Sequence, residues 1–406
     1  MKILLLNAGS SSLKATLVDG HEGTVLAHAK ADWAGEATRY EFAGPDGVAR
    51  TDTVADMRYG ETVRRFIADL RQGHPSGLSD LSELAAVGHR IVHGGEYQTS
   101  IQITPEVRSR IEQLRELAPL HNPPSLETLA AAEAELPGIP QIAVFDTAFH
   151  STMPPEAYTY AIPMQWTRDW EIRRFGFHGL SHAYCSRRAA ELLGRPSDKL
   201  RLVICHLGHG CSASAVQDGR CVATTMGFTP LEGLMMATRS GSIDPGVLLH
   251  LQRNHGLTAA QVEHSLNHNS GLLGVSGVSS DMRQVSAAAT AGDEQARLAI
   301  AIYVHRVRQS IGALTVTMGG VDALVFTAGV GENAADIRGS FCSDLECLGL
   351  ELDSKINATC RPDADVATTH SGGRILVIAT REDETMLREV QTVLGLPTRG
   401  SDKTTA

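Results

Sequence analysis

One local pattern occurs twice in this chain, and the distance between its copies constrains the fold more than any other feature. Residues 2–6 (K-I-L-L-L) read as a buried strand, and residues 7–12 (N-A-G-S-S-S) as a turn of small residues. Residues 13–18 read as a second strand, closed by Asp19-Gly20. The same grammar returns with an apolar strand at 202–205, the turn H-L-G-H-G-C-S at 206–212, a strand at 213–216 and Asp218-Gly219. Asn7/His206, Gly9/Gly208, Asp19/Asp218 and Gly20/Gly219 all stand 199 residues apart, close to half of the 406-residue chain. A duplicated domain follows. With a third strand near 24–30, each copy opens antiparallel, unlike the alternating strands and helices of a Rossmann unit.

Apolar residues make up 42% of the chain and charged residues 20%, enough to build a sizeable core in each half. The net charge of −10 argues against nucleic acid or an anionic membrane as the main partner. No apolar run approaches the roughly 18 residues of a membrane span. Only Ile3–Leu6 follow Lys2 as an apolar run, too short for a signal-peptide core, so a cytoplasmic protein is expected. The seven cysteines, an odd number without a CxxC pair, read as small buried residues in a reducing compartment. Helices are expected over 56–72, from Thr104-Pro105-Glu106 to about 117, over 124–136, and from 300 to the Gly319-Gly320 stop. Residues 323–327 read as a buried strand, a domain seam falls near 150–155, and 398–406 is a polar tail.

Three turns at strand ends are rich in small residues: 7–12, 206–212 and 329–333. None is a P-loop or a complete G-x-G-x-x-G. Such turns let backbone N–H groups and hydroxyls approach phosphate oxygens, and Lys14 stands two residues beyond Ser12, where a cation could neutralise a phosphate.

Together with these turns, a series of ordered segments resembles the acetate kinase family, part of the acetate and sugar kinase, Hsp70 and actin superfamily. The segments are N-A-G-S-S-S-L-K (7–14), G-H-R-I-V-H-G-G (88–95), A-P-L-H-N-P (118–123), F-D-T-A-F-H (145–150) and F-G-F-H-G (175–179). M-G-F-T-P-L-E-G-L-M-M (226–236), T-R-S-G (238–241), S-S-D-M-R (279–283) and F-T-A-G-V-G-E-N (326–333) complete the series, which covers about residues 2–390. The resemblance implies an α/β fold of two duplicated actin-like (ribonuclease H-like) domains, each a mixed sheet flanked by helices, with a nucleotide cleft between them. The domains would be 1–150 plus 384–406, and 151–383 for nucleotide binding and dimerisation. It also implies the reaction ATP + acetate ⇌ ADP + acetyl phosphate, a Mg²⁺ or Mn²⁺ cofactor, and a homodimer.

Site residues carry over by motif. Asp146, His178 and Arg239 would be catalytic, and Arg90 would bind acetate, with Val92, Leu120, Phe177 and Pro230 around its methyl group. Ser10, Ser12, Lys14, His206, Leu207, Gly208, His209 and Gly210 would meet the nucleotide phosphates. Asp281, Met282, Arg283, Gly329, Val330, Gly331, Glu332 and Asn333 would meet adenosine and ribose, and Asn7 and Glu382 the metal. Chemically, Asp146 suits orienting an arginine or a metal-bound water, because acetate is already ionised at neutral pH. The sequence departs from the family pattern at His209 (usually Asn), Ser242 (Asp), Leu180 (Thr), Ala237 (Gly) and Arg381 (Asn or Asp). A propionate-preferring kinase and a catalytically weak ATP-binding member are the alternatives.

Overall fold

The structure is a computed structural model that describes residues 1–9, 12–33, 35–44, 47–72, 80–119 and 121–397. The chain divides into two compact units, Met1–Phe149 with Arg381–Ala406, and His150–Thr380.

Each unit is built on a mixed sheet with the same central strand order. In the first unit the strands are β1 (Lys2–Ala8), β2 (Ser12–Asp19), β3 (Val25–Asp32), β4 (Thr38–Ala43), β5 (Ala49–Val54), β6 (Leu84–Ile91), β7 (Ile101–Gln102) and β8 (Gln141–Phe145). Their order is β5-β4-β3-β2-β1-β6-β8-β7. In the second unit β9 (Arg201–Leu207), β10 (Cys211–Gln217), β11 (Arg220–Thr224), β12 (Ala323–Thr327), β13 (Ala364–Asp365) and β14 (Arg374–Val377) run β11-β10-β9-β12-β14-β13. The repeated hairpins are β1–β2 and β9–β10. Each pairs antiparallel within itself and parallel to a strand much later in the chain, β6 beside β1 and β12 beside β9. The pattern at the 199-residue offset is therefore the centre of each sheet.

Alternation along β1 divides its side chains between two layers. Leu4 and Leu6 join the cluster of Val63, Phe66, Ile67 and Ala132 from the helices Tyr59–Gln72 and Asn122–Glu135. Leu5 faces the other way, toward the C-terminal helix Glu382–Val393, which packs on β1, β6 and β8. That helix comes so close that a Cβ at Gly88 would lie 2.7 Å from Val390 Cγ2. In the second unit the helices Gly179–Leu193 and Glu294–Thr317 pack on the sheet.

Several helix boundaries differ from the sequence reading. The expected start at 56 moves to Tyr59, because Asp56 is a left-handed turn residue (φ 49°). The helix expected from 124 starts at Asn122, which puts the prolines in its first turn, where their missing N–H costs nothing. The long helix begins at Glu294, capped by Asp293, whose side chain accepts from Ala296 N. Tyr303 belongs to its buried stripe, and Val304 beside it is half-buried. The 329–333 segment is not a turn: Ala328–Asn333 is a short helix entered through a left-handed Ala328 (φ 64°). All seven cysteines are free; five are buried, Cys347 is exposed and Cys360 half-buried.

Gly94 adds a packing constraint beside the first unit's polar cluster. A Cβ there would sit 2.6 Å from the ring of Phe145, the residue before Asp146. Gly94→Ala should destabilise the protein by about 1–3 kcal/mol through overpacking. Urea unfolding should show a lowered midpoint with an unchanged slope. An unmoved midpoint would show that Phe145 yields at no cost.

Candidate active site

In the first unit the polar cluster assembles around Arg90. It lies inside β6 and registers with Val144 of β8. Asp146 follows β8 directly, held by its own N–H to Ile91 O at 3.0 Å. Arg90 Nη2 donates to Asp146 Oδ2 at 2.6 Å, and Nε reaches both carboxylate oxygens at 3.2 Å. Nη1 donates to Asn7 Oδ1 at 3.0 Å and to Glu382 Oε2 at 3.2 Å. Asn7 Nδ2 closes the ring to Glu382 Oε2 at 2.9 Å. Burial opposes the charge on Arg90, but Asp146 and Glu382 outweigh it and raise its pKa above the ordinary arginine value. These contacts use both N–H groups of Nη1, the Nε–H and one N–H of Nη2. Of the roughly five donors of a guanidinium, one on Nη2 remains. Asp146 thus orients an arginine, and it occupies the fork face that a substrate carboxylate would need for a bidentate grip.

Asn7 and Glu382 present neighbouring oxygens. Among the described residues no group of three or more His, Cys, Asp or Glu forms a metal cage. Two adjacent oxygen donors nevertheless suit Mg²⁺, which takes few protein oxygens and completes its shell with phosphate and water. Val92 is buried just past β6. Lys14 is exposed on β2 opposite Asn7, and Ser12 begins that strand. Lys14 stands on a strand as expected, and Asn7 and Ser12 are strand residues rather than turn residues, as are His206 and Leu207 at the end of β9. Ser10 and Leu120 lie outside the described residues.

In the second unit the turn between β9 and β10 is reduced to Gly208, His209 and Gly210. A Cβ on Gly210 would lie 3.2 Å from His178 Nε2 and 3.6 Å from Arg239 Nη1, so both side chains close on this glycine. A Cβ on Gly208 would lie 3.5 Å from His206 Nε2 and 3.6 Å from Ala328 Cβ, which brings the start of the 328–333 helix alongside. The segment carrying Arg239 is tied to the turn by Ala237 N donating to His209 O at 3.1 Å. Arg239 Nη1 donates to Pro230 O at 3.2 Å. The guanidinium is half-buried, and among the described residues no carboxylate pairs with it. Burial lowers its pKa from the usual value. Phe177 is buried, and its carbonyl bonds His150 Nε2 at 2.9 Å.

His178 caps the helix Gly179–Leu193 with left-handed geometry (φ 58°), which turns its ring toward β10. It stacks on His206, with ring centroids 4.1 Å apart. His178 Nδ1 bonds Ser212 Oγ at 2.9 Å, and His206 Nδ1 bonds Ser181 Oγ at 2.8 Å. His209 keeps an open side, yet nearby protein atoms displace part of its hydration. That desolvation, followed by the charge of Arg239, lowers its pKa.

The 328–333 helix is held from both ends. Glu332 Oε1 accepts from Ala328 N at 2.8 Å and Thr380 N at 2.9 Å. Buried Arg338 donates to Gly331 O and Glu332 O at 3.0 and 2.8 Å. Gly329 faces open space. Asp281 caps the helix Met282–Thr290 through Arg283 N at 2.8 Å and pairs with the exposed Arg283 side chain, while Met282 is buried. Sequence reasoning missed Ser212 as a site residue, together with His182 and Arg338. His178 and His182 stand one helical turn apart, a spacing that could have marked the pair.

The family model described as the acetokinase family matches residues 2–388. The chain belongs to the acetokinase family. An acetate kinase of Gloeobacter violaceus is 48% identical over 96% of this chain and 98% of its own. The crystal structure of Porphyromonas gingivalis acetate kinase superposes with a TM-score of 0.87 at 42% identity, covering 97% of this chain and 99% of that one. A propionate kinase from Francisella tularensis gives 0.88 at 38% identity, covering 96% and 98%. The family is one of phosphotransferases that use ATP, and the two mixed sheets have the actin-like fold of these neighbours.

If Arg239 helps to hold His209 uncharged, Arg239→Ala should raise the His209 pKa. An NMR titration of its ring protons reads this directly. An unchanged midpoint would leave desolvation as the whole cause.

Proposed function

We propose that this protein transfers the γ-phosphoryl group of ATP reversibly to acetate, giving ADP and acetyl phosphate. Arg239 carries the reading: a half-buried cation without a carboxylate partner among the described residues, beside His178 and a turn containing two glycines. A guanidinium stripped of water and left without a counter-charge favours an incoming anion. A phosphoryl group in transfer spreads negative charge over its equatorial oxygens, which suits such a cation.

The acceptor needs no base, because a carboxylic acid with a pKa near about 4 is ionised at neutral pH. The acetate oxygen attacks the γ-phosphorus as the bond to the bridging oxygen of ADP breaks. The obstacle is the approach of an anion to a polyanion, so positioning and positive charge carry catalysis. Arg90 uses its remaining Nη2 N–H for the acetate carboxylate, with Asp146 fixing the guanidinium plane. Val92 faces the methyl group, and family likeness gives Phe177 and Pro230 the same apolar role. His178 donates to the phosphoryl group, and Arg239 neutralises its developing charge. Gly208, His209 and Gly210, with His206 and Leu207, hold the phosphates, and Ser12 and Lys14 add polar contacts. Gly329–Asn333 and Asp281–Arg283 hold the nucleoside. Asn7 and Glu382 hold Mg²⁺ or Mn²⁺, which supplies charge neutralisation of the phosphates when bound.

A homodimer through the second unit is supported by exposed apolar side chains there, Ile243, Val247, Leu249 and Val316. A reducing, cytoplasmic setting is supported by seven free cysteines. No helix among the described residues is long and apolar enough to cross a membrane.

Acyl phosphate trapped with hydroxylamine should form only with ATP, a divalent metal and acetate together. Its absence would overturn the proposal. Arg239→Ala should lower kcat on the order of 10³-fold, by analogy with arginine fingers, with a smaller change in KM for ATP. A folded variant with near-normal kcat would remove Arg239 from its role.

Propionate is the second reading, favoured by the likeness to a propionate kinase. Val92→Ala makes room for one methylene and should shift the propionate-to-acetate ratio of kcat/KM upward by about 10–200-fold. An unmoved ratio would take Val92 away from the methyl group.

A further inference from the structure

Four imidazoles of the second unit, His150, His178, His182 and His206, lie close together, and one hydroxyl bridges two of them in a way that the phosphoryl-transfer reading does not use. Ser212 on β10 is buried between two rings. Its Oγ lies 2.9 Å from His178 Nδ1 and 2.8 Å from His182 Nε2. A serine hydroxyl has one proton, so it donates to one ring and accepts from the other. His182 decides the direction. It is buried, and its Nδ1 finds no hydrogen-bond partner among the described residues. Burial, then the neighbouring rings of His150 and His206, pushes its pKa well below the ordinary value. The ring is therefore neutral, with a single N–H. If that proton sat on Nδ1, a buried donor would be left unpaired, and such donors are rarer in proteins than under-used acceptors. With the proton on Nε2, His182 donates to Ser212, and Ser212 donates to His178 Nδ1.

We propose that Ser212, anchored by His182, is a positioning residue that holds His178 in the tautomer carrying its proton on Nε2. That nitrogen is the one beside Gly210 and the guanidinium of Arg239. His178 thus presents a ready N–H donor to a phosphoryl oxygen. In the other tautomer it would present a lone pair, which repels the same oxygen.

The neighbouring ring repeats the device with different atoms. Thr380 Oγ1 donates to Ser181 Oγ at 3.0 Å, which leaves the Ser181 proton for His206 Nδ1 at 2.8 Å. His206 then carries its proton on Nε2 as well, toward Gly208. The two stacked imidazoles are turned into a pair of donors by two serines, one on β10 and one on the helix Gly179–Leu193.

This inference rests on the proposed donor role of His178, and the test separates the two. Full-length protein labelled with nitrogen-15 histidine is studied by long-range proton–nitrogen correlation, with the His178 signals assigned from His178→Gln. The expected pattern is an unprotonated Nδ1 and a protonated Nε2 in the wild-type protein, whether or not it turns over substrate. A protonated Nδ1 on neutral His178 would overturn the proposal without reference to activity. In Ser212→Ala the two tautomers should mix. Its kcat should fall on the order of 10-fold, the worth of about one hydrogen bond, with KM for ATP and acetate within about 2-fold. Ser212→Thr keeps the hydroxyl and should restore both the single tautomer and kcat. A Ser212→Ala protein that keeps the Nε2–H tautomer and wild-type kcat would overturn the proposal.

Discussion

The ion pair of Arg90 with Asp146 is the contact on which the first unit depends. It ties the interior of β6 to the end of β8, and through Asn7 and Glu382 the same guanidinium reaches β1 and the start of the C-terminal helix. Four segments distant in sequence converge on one planar cation. Removing one partner of a buried pair costs about 3–5 kcal/mol, because the remaining charge is left stranded. Asp146 is therefore as much a folding constraint as a chemical one. The nearly saturated guanidinium also limits what a ligand can do there. A carboxylate meets one remaining N–H, and a cation bound at Asn7 and Glu382 competes with Nη1 for the same oxygens.

The second unit treats its arginine in the opposite way. Arg239 is partly stripped of water and tied to a backbone carbonyl, without a carboxylate among the described residues to satisfy it. The rings of His150 and His182 nearby are kept neutral by burial, with the His150 pKa lowered to about 4. Arg239 thus stands as a positive charge without a carboxylate partner among the described residues, beside the Gly208–Gly210 turn and the His178 ring. The first unit's arginine is already met by carboxylates, and among the described residues the second unit's is not. That asymmetry between copies of one sheet topology distinguishes their chemistry where the strand order does not.

Local grammar carried most of the fold. The two hairpins and the Thr104 cap, where Val107 N reaches Thr104 Oγ1 at 3.3 Å, depend on neighbouring residues and are readable as such. The site residues themselves came from motif likeness, and their partners were not legible. Arg90 meets Asp146, Asn7 and Glu382 across separations of 56, 83 and 292 residues, and no periodicity encodes that. Ser212 looked like one more small residue in a turn, because its meaning depends on two histidines from a helix 30 and 34 residues earlier. The glycine-rich 329–333 stretch looked like a turn by composition. It is helical because its own Glu332 side chain takes up Ala328 N, and Arg338 from outside the segment satisfies the carbonyls of Gly331 and Glu332.

The departures from the family pattern can be weighed by what each side chain touches. Leu180 is buried in the first turn of its helix, where an apolar side chain replaces a hydroxyl without leaving a polar atom exposed to the core. Ser242 accepts from Gly233 N at 3.1 Å, and Asp244 still caps the helix Pro245–His255 through Gly246 N at 2.8 Å, so the turn keeps its partners. Ala237 is buried, but the contact that matters there is its N–H, which any residue but proline supplies. Arg381 pairs on the surface with Glu384. His209 differs from these four in kind. Its carbonyl, not its ring, anchors the segment that carries Arg239, so an exchange of Asn for His leaves that anchor intact. The ring adds a titratable group beside a guanidinium. The backbone of the turn is therefore indifferent to the substitution, and its consequence falls on the charge beside Arg239.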